Sequence, residues 1–485
     1  MAQSYVSHFE SSFRILHIPS LWSEYTENWN RPSSTEDVLQ LKAGLVMAIG
    51  SSLYPQPPDD VAPSFRSTAC QWVHNAQQWL STPTRKARLT TDGLQLQCLL
   101  VLASQVLAIG GDLAYIAIGN AVRTAIQMGL HRDPRNFAKM SILEAEVRRR
   151  LWATILELNL QASMDAGVPP TVSLVDFDTE APSNVNDVDI GAHTDTIREY
   201  PADVVTDTSL QRFLFGLLRS RYEIVQRING IPSPMSYDEI HAVTNPLAAA
   251  CRQRKALTKV VGTEAIFRHN MADLLLRRLL LCLHRPLAGQ ASPHHQFYFR
   301  KISLDAAMAV LSPTHNPEYS HLISVGAGMF KNRMIHASLA VASELLRELE
   351  ENGPISEPTG YRKMVVDAVQ EALRQTEQRI RLGQTNADVK MHMKLSMTLC
   401  QAGETGSPDS GHLLRSLAQS AKASLEMSCS ILQERLGKPV DERNAIEFQH
   451  HQQDLAFDSD VDFYAIFGAM DFDIDALLAS DSMLT

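Results

Sequence analysis

The chain has 485 residues, of which 45% are hydrophobic and 20% are charged, and its formal net charge is −10. It is longer than the roughly 250–300 residues at which a single core stops growing, so we expect two helical subdomains and a tail. The net charge argues against a surface that binds nucleic acid. No apolar run reaches the ~18 uninterrupted residues of a membrane span, which argues against insertion into a membrane.

The six cysteines are too widely spaced for a CxxC pair or a short metal clip, since they stand at positions 70, 98, 251, 282, 400 and 429. The first residues lack the pattern of a signal peptide, which places the thiols in a reducing compartment. We interpret the cysteines as small buried hydrophobic residues.

Apolar residues recur with helical periodicity along nearly the whole chain, which predicts an all-α fold. The predicted helices are 36–51, 65–81, 93–109, 113–128, 142–166, 208–229, 263–284, 300–312, 330–351, 361–383, 389–402 and 411–436. Segments rich in Pro, Ser, Asn and Asp predict loops at 52–63, 167–206, 231–236, 286–298 and 352–358. The boundary between subdomains is predicted within 167–206.

The helix predicted at 113–128 has signals for both of its ends. Asp112 is the predicted N-cap, and Gly129 is expected to end the helix in the left-handed conformation. Leu130 is then expected to pack back beneath this C-cap.

The next helix, 142–166, carries an apolar face that we interpret as core: Leu143, Val147, Leu151, Ile155 and Leu158. It also pairs Glu144 with Arg148 and Glu146 with Arg150 at a spacing of four residues, which favours weak surface ion pairs. These acids neutralise the run Arg148–Arg150, so we do not interpret it as a nucleic-acid patch. In the loop that follows, we interpret a group of carboxylates as turn caps and solvated groups: Asp176, Asp178, Asp187 and Asp189.

The last forty residues combine acids with aromatic residues, and no Lys or Arg follows Arg443. Nine of the 54 acids lie beyond it, which leaves 45 acids against 44 bases upstream. This alternation is typical of disordered activation segments that fold as a short amphipathic helix in a partner's groove. The predicted anchors are Phe463, Phe467 and Met470. The alternative is a tail that only confers solubility, which does not explain so many aromatic residues.

Catalytic, cofactor-binding and metal motifs are not found. His131-Arg-Asp133 imitates a kinase triplet, but the metal-binding Asn expected five residues later is Ala138. There is no Walker A sequence, the Gly326-Ala-Gly328 pair lacks a third glycine, and no GxSxG elbow occurs. The aspartates Asp59 and Asp60 lie in a Pro-rich loop rather than in a metal-binding helix. We therefore predict that the protein is not an enzyme.

Several segments together resemble the middle homology region of fungal zinc-cluster transcription factors. They are Phe13–Trp22, Ala121–Pro134, Glu144–Trp152, the Asn186-Asp187 pair and Leu281–Pro286. The resemblance implies an all-α regulatory domain, nuclear location, control of transcription and homo- or heterodimerisation. It divides the chain into a middle homology region at 8–286, a helical extension at 287–440 and an acidic aromatic tail at 441–485.

The chain departs from the family pattern at its N-terminus, where no cluster of closely spaced cysteines precedes the regulatory region. We therefore expect zinc only in an upstream cluster, and DNA contact only through such a finger or indirectly through a partner. The predicted function is transcriptional regulation, extending to a secondary-metabolite gene cluster, with the tail contacting a coactivator or the transcription machinery. The alternative is a finger-less scaffold or repressor that dimerises with full-length relatives.

Overall fold

The all-α prediction is confirmed by the computed structural model, which describes residues 1–28, 38–54, 62–82, 86–110, 113–231, 236–253, 262–290, 293–352, 360–383, 386–403 and 410–436. Within these ranges the chain forms helices, turns and irregular segments and no strand. None of the helices in the same ranges is long and apolar enough to cross a membrane.

The chain divides into two compact units, Met1–Val341 and Ala342–Thr485. The helices of the first unit are α1 (Ala2–Tyr5), α2 (Ser11–Phe13), α3 (Ile18–Asn28), α4 (Val38–Ser51), α5 (Ala62–Ser81), α6 (Thr91–Val106), α7 (Ala114–Gln127), α8 (Ile142–Ala166), α9 (Ser209–Gly216), α10 (Leu218–Asn229), α11 (Tyr237–Gln253), α12 (Thr263–Gln290), α13 (Pro293–Leu311), α14 (Pro317–Val325) and the start of α15 (Met329–Asn352). A π-helical turn, Val6–Glu10, joins α1 to α2.

Helix α8 forms the centre of the first unit and matches its predicted bounds, 142–166. The Ser141 side chain caps its first turn by accepting a hydrogen bond from the Glu144 N–H at 3.2 Å, and Gly167 ends it with φ +64°. From Leu151 onward nearly every side chain is buried, on all faces of the helix. A helix that is enclosed on all sides must bury its polar residues as well as its apolar ones, and this decides the chemistry of the site below.

Four helical segments were not predicted from the sequence: 2–13, α3, α11 and α14. Helix α11 contains Pro246 and α3 begins at Ile18 and Pro19, and a proline weakens the local sequence signal for a helix. The loop predicted at 286–298 is wrong, because α12 runs through Pro286 to Gln290 and α13 starts at Pro293. Burial of α12 outweighs the local cost of Pro286 within it, whereas Pro293 is the first residue of α13, where its missing N–H has no cost.

The prediction that the loop at 167–206 separates two subdomains is wrong. This loop lies inside the first unit. It is held there by buried polar contacts with neighbouring elements: the Thr179 hydroxyl donates to the Leu130 carbonyl at 2.6 Å, and the Ser183 N–H donates to Glu146 of α8 at 3.1 Å. The predicted segments 8–286, 287–440 and 441–485 follow a family region rather than a compact unit, and those boundaries stay a prediction.

The second unit contains the end of α15 together with α16 (Gly360–Arg381), α17 (Asn386–Gly403) and α18 (Ser410–Leu436). Two buried ion pairs tie neighbouring helices: Arg362 with Glu348 at 2.5 Å, and Arg379 with Asp388 at 2.8 Å. Helix α18 packs on α17 through short polar contacts, such as His392 Nδ1 to Ser424 Oγ at 2.6 Å. The unit is thus a small helical bundle with polar groups paired in its interior.

Candidate functional site

The predicted tail anchors Phe463, Phe467 and Met470 lie outside the described residues, as does the predicted cap Asp112. Their roles stay predictions. In the described part of the chain, four of the five segments that carry the resemblance come together around the first turns of α8, and this region is the candidate site.

The turn after α7 forms as the sequence predicts. Gly129 has φ +78°, its N–H donates to the Ile126 carbonyl at 3.0 Å, and the Leu130 N–H donates to the Ala125 carbonyl at 2.9 Å. This pair of hydrogen bonds is a Schellman motif, in which a glycine takes the left-handed position without a Cβ penalty. Leu130 is buried beneath it, so the chain leaves α7 in a defined direction toward α8.

Asp133 follows this turn and is a buried structural acceptor. Its carboxylate accepts two hydrogen bonds from the Arg149 guanidinium, at 3.0 and 3.1 Å, and two from the backbone N–H groups of Arg135 and Glu180, both at 3.0 Å. Desolvation raises the pKa of Asp133, but these donors outweigh it and hold the pKa below its usual range. The carboxylate is therefore charged at physiological pH and links the turn to α8 and to the loop after it.

Deeper in the unit, five buried charged residues form what we call the carboxylate network: Glu10, Arg14, Glu146, Arg150 and Asp187. Arg150 donates to Asp187 at 2.6 Å and to Glu146 at 3.1 Å. Arg14 forms an ion pair with the same oxygen of Asp187. The network joins the N-terminal segment, α8 and the loop 183–187, which are distant in sequence.

Backbone and hydroxyl groups supply the remaining donors to the carboxylate network. Glu10 accepts from the Tyr5 hydroxyl at 2.6 Å and from the Leu16 N–H at 2.8 Å. Asp187 accepts from the Ile18 N–H at 3.0 Å, and Glu146 accepts from the Ser183 N–H at 3.1 Å. Buried charges that are paired and hydrogen-bonded in this way do not carry the cost of an unpaired buried ion.

Burial acts differently on the carboxyl groups of the network. Desolvation raises the pKa of Glu10 to about 7, with the charge of Arg14 as the largest opposing effect. Desolvation also raises the pKa of Glu146. For Asp187 desolvation is again the largest cause, but Arg14 and Arg150 together outweigh it, and its pKa is lowered. Asp187 is thus the fixed negative charge, whereas Glu10 titrates near neutral pH.

Comparison with known proteins identifies the region that contains this network. Residues 2–235 match the family described as fungal specific transcription factor domain. These residues are a fungal specific transcription factor domain. The resemblance noted in the sequence is thereby confirmed. The last segment used for it, Leu281–Pro286, lies beyond the matched residues. No solved structure matches the chain.

Similar curated proteins are fungal transcription factors. The transcription factor asR3 of Sarocladium schorii is 31% identical over 98% of this chain and 59% of its own length. The transcription factor lepE of Aspergillus flavus is 32% identical over 86% of this chain and 53% of its own length. The aspyridones cluster regulator apdR of Emericella nidulans is 32% identical over 69% of this chain and 48% of its own length. The chain spans about half the length of these relatives.

In the transcription factor domain, two predictions about charged residues need correction. The pair of Glu146 and Arg150, predicted on the surface, is buried. Arg148 is also buried, and its guanidinium donates to the Met128 carbonyl at 2.6 Å rather than forming a surface pair with the exposed Glu144. The four-residue spacing does place Glu146 beside Arg150, but burial is decided by the N-terminal segment and the loop that cover this face of α8.

The interpretation of Asp187 as a turn cap or a solvated group is also wrong, because this residue is buried. Asp176 and Asp189 do cap turns, accepting from the N–H groups of Ser173 at 2.8 Å and Asn186 at 3.0 Å. Asp187 instead pairs with Arg14, which is 173 residues away in sequence. Arg14 and Glu10 were not predicted as functional residues. Their one sequence signal is that they are the only Asp, Glu, Lys or Arg among the first 23 residues.

The Leu281–Pro286 segment lies inside α12, outside the matched domain region. Pro286 has no N–H, so the carbonyl of Cys282 lacks a helical donor there. His284 is buried, and its Nδ1 lies 2.8 Å from the Leu280 carbonyl and its Nε2 3.3 Å from the Thr244 hydroxyl of α11. Burial lowers the pKa of His284 to about 4, so Nδ1–H donates to the carbonyl and Nε2 accepts from Thr244. This histidine links two helices.

The cysteines agree only in part with the interpretation as buried residues. Cys98 and Cys251 are buried, and burial raises the pKa of Cys98 to about 12. Cys429 is exposed. The described residues contain no group of three or more His, Cys, Asp or Glu that could hold a metal ion.

Proposed function

We propose that this chain is a nuclear, non-catalytic regulator that controls transcription of a secondary-metabolite gene cluster. The observation that carries the proposal is the transcription factor domain at residues 2–235, together with relatives whose names include a cluster regulator. In this proposal the carboxylate network holds the domain's first helices in one arrangement, and the tail beyond residue 441 contacts a coactivator or the transcription machinery. Homo- or heterodimerisation belongs to the same proposal.

Deletion and overexpression of the gene in its source fungus test the regulatory role. We expect the transcripts of one biosynthetic gene cluster to fall in the deletion strain and to rise on overexpression, as measured by RNA sequencing. A rise on deletion would instead support a repressor that dimerises with other zinc-cluster factors. No change in any cluster under conditions where the protein is made would contradict both.

The tail is tested by fusing residues 444–485 to an unrelated DNA-binding domain and measuring reporter transcription. We expect activation, and we expect the triple change Phe463→Ala, Phe467→Ala and Met470→Ala to abolish most of it, because their spacing of four and three residues would place them on one face of the helix that we expect to form in the partner's groove. A matched control changes Gln452, Gln453 and Ser459 to Ala. Equal activity of the two triple variants would rule out the proposed anchors and favour a tail that only confers solubility.

A further inference from the structure

A group of cationic side chains lies where α12, α15 and the end of α8 meet within the first unit. We call this group the cationic cluster. It consists of three arginines and three neighbouring side chains: Arg278, Arg285 and Arg333, with Asp165, Cys282 and His336. On α12, Arg278, Cys282 and Arg285 share one face, because they are spaced by four and then three residues. On α15, Arg333 and His336 are three residues apart and share a face in the same way. Apart from Asp165, the group lies outside the transcription factor match, and none of its members belongs to the carboxylate network.

Two of the three arginines have well-defined partners. Arg278 is buried, pairs with Asp165 and donates to the Met164 carbonyl at 3.0 Å. Arg333 is buried and donates only to neutral acceptors, among them the Leu274 carbonyl at 2.7 Å and the side-chain oxygen of Gln161. Its hydrogen bonds are therefore satisfied, but its charge is not balanced by a directly paired carboxylate.

Arg285 differs from both. It is half-buried, and its guanidinium has no hydrogen bond or ion pair with any residue that the structure describes. Within the same ranges, Asp165 is the one carboxylate that pairs with any of the three arginines. Of the three guanidiniums, therefore, only that of Arg278 has a carboxylate among the described residues as its ion-pair partner.

The titration of the neighbouring groups reflects this excess of positive charge. Desolvation lowers the pKa of His336 well below its usual value, and the charges of Arg278, Arg285 and Arg333 lower it further. Desolvation also lowers the pKa of Arg285 and brings that of Arg333 to about 10. The guanidiniums stay charged at physiological pH, while His336 is neutral.

Cys282 and His336 add hydrogen-bond donors at the same place. The sulfur of Cys282 lies 3.3 Å from Nδ1 of His336, and desolvation raises the pKa of the thiol. With both groups neutral, the S–H donates to Nδ1, and the imidazole proton sits on Nε2. That Nε2–H has no acceptor in the described part of the chain. Both side chains are half-buried, so they are partly accessible to solvent.

We propose that the cationic cluster binds a small molecule through an anionic oxygen group, a carboxylate or a phosphate, with the Arg285 guanidinium as the main contact and His336 beside it. A planar guanidinium matches both kinds of group and forms two parallel charge-assisted hydrogen bonds to either. The anion supplies the negative charge that the protein itself does not provide here. This proposal does not depend on the transcriptional role.

The test uses the purified full chain with sodium phosphate and, separately, sodium acetate, at an ionic strength held constant with chloride. Binding is measured by isothermal titration calorimetry and by the shift in Tm. We expect at least one anion to bind and raise Tm, and we expect Arg285→Gln to weaken that binding by about tenfold or more. The matched control is Arg219→Gln, which removes an arginine that is 85% exposed on α10 and leaves the affinity unchanged.

Binding of phosphate alone supports a phosphate ester as ligand, and binding of acetate alone supports a carboxylic acid. Without added anion, we also expect Arg285→Gln to raise Tm, because it removes a half-buried charge that has no partner. If Arg285 had a merely structural role, its replacement by Gln would lower Tm instead. The proposal is overturned by a lower Tm of Arg285→Gln, by equal affinity of the two variants, or by the absence of binding of either anion to the unchanged protein.

Discussion

The carboxylate network and the cationic cluster both contain buried or half-buried charges, but they differ in which sign is in excess. The network has three carboxyl groups, Glu10, Glu146 and Asp187, and two guanidiniums, Arg14 and Arg150. The cluster has three guanidiniums and one carboxylate. Neither group is neutral if every member carries its ordinary charge.

The two groups can correct this imbalance in different ways. A carboxyl group can take up a proton near neutral pH, and the pKa of about 7 for Glu10 makes this possible inside the network. A guanidinium does not lose its proton under physiological conditions. The network is therefore complete by itself, whereas the cluster needs an anion from outside. Excess negative charge is therefore compatible with a purely structural role of the network, and the excess positive charge of the cluster is the basis of the proposed anion binding.

The largest effect is expected for Asp187→Asn, which keeps the size of the side chain and removes the charge shared by Arg14 and Arg150. We expect the free energy of unfolding to fall by about 3–5 kcal/mol, because buried Arg14 loses its ion-pair partner and buried Arg150 keeps only Glu146. Denaturant unfolding followed by circular dichroism measures it. The control is Asp195→Asn in the same loop, at an exposed position, where we expect a change within about 0.5 kcal/mol. Similar losses in the two variants would show that the network does not stabilise the domain.

A smaller effect is expected from the titration of Glu10. Because its pKa is raised from 4.5 to about 7 in the folded state, the folded protein binds this proton more tightly than the unfolded chain. The contribution of Glu10 to stability is therefore fully present below pH 4.5 and is lost as the pH rises from 4.5 to about 7.

The variant Glu10→Gln isolates this effect, since its amide oxygen can still accept from the Leu16 N–H, and the Tyr5 hydroxyl can accept from the amide NH2 instead of donating. We expect the free energy of unfolding of the unchanged protein, relative to the variant, to fall by on the order of 1–3 kcal/mol between pH 4.5 and pH 7. Unfolding curves at several pH values measure the difference. A difference that grows with pH would mean that Glu10 is charged in the network, and the comparison with the cationic cluster would fail.

The smallest effect is expected for the exposed pair of Arg219 and Glu223 on α10, whose charged groups are 3.2 Å apart. Arg219→Gln should change the free energy of unfolding by less than about 0.5 kcal/mol, because solvent screens the interaction. Denaturant unfolding at low and at high salt measures it. A loss comparable to that of Asp187→Asn would show that burial is not what separates strong from weak pairs in this protein.

Much of the fold could be predicted from local sequence patterns. The bounds of α8 are as predicted, and the turn at Gly129 forms with the expected left-handed glycine and buried Leu130. These features depend on residues within one or two helical turns of each other, where spacing and capping preferences decide the structure. The family resemblance rests on the same local segments and is confirmed.

The missed elements are those in which tertiary packing outweighs a local signal. The loop predicted from Pro286 onward does not form, because α12 continues through this proline, and the unpredicted α11 continues through Pro246 in the same way. Their buried faces, which include Leu247 and His284, hold the helices together across the missing hydrogen bonds. Sequence reasoning could not weigh that burial, because the residues that provide it come from other helices.

The sequence by itself determined that the described protein is helical, where most of its helices lie, and which family its N-terminal half resembles, because each of these follows from periodicity and short motifs. Only the tertiary structure decided which charges are buried and with what partners. Glu146 and Arg150 are neighbours by spacing alone, but Arg14 and Asp187 meet because the N-terminal segment and the loop after α8 fold onto the same face of one helix. Arg285 is likewise a surface residue by composition, and it becomes a candidate anion contact only because α12 and α15 place it beside two further cations.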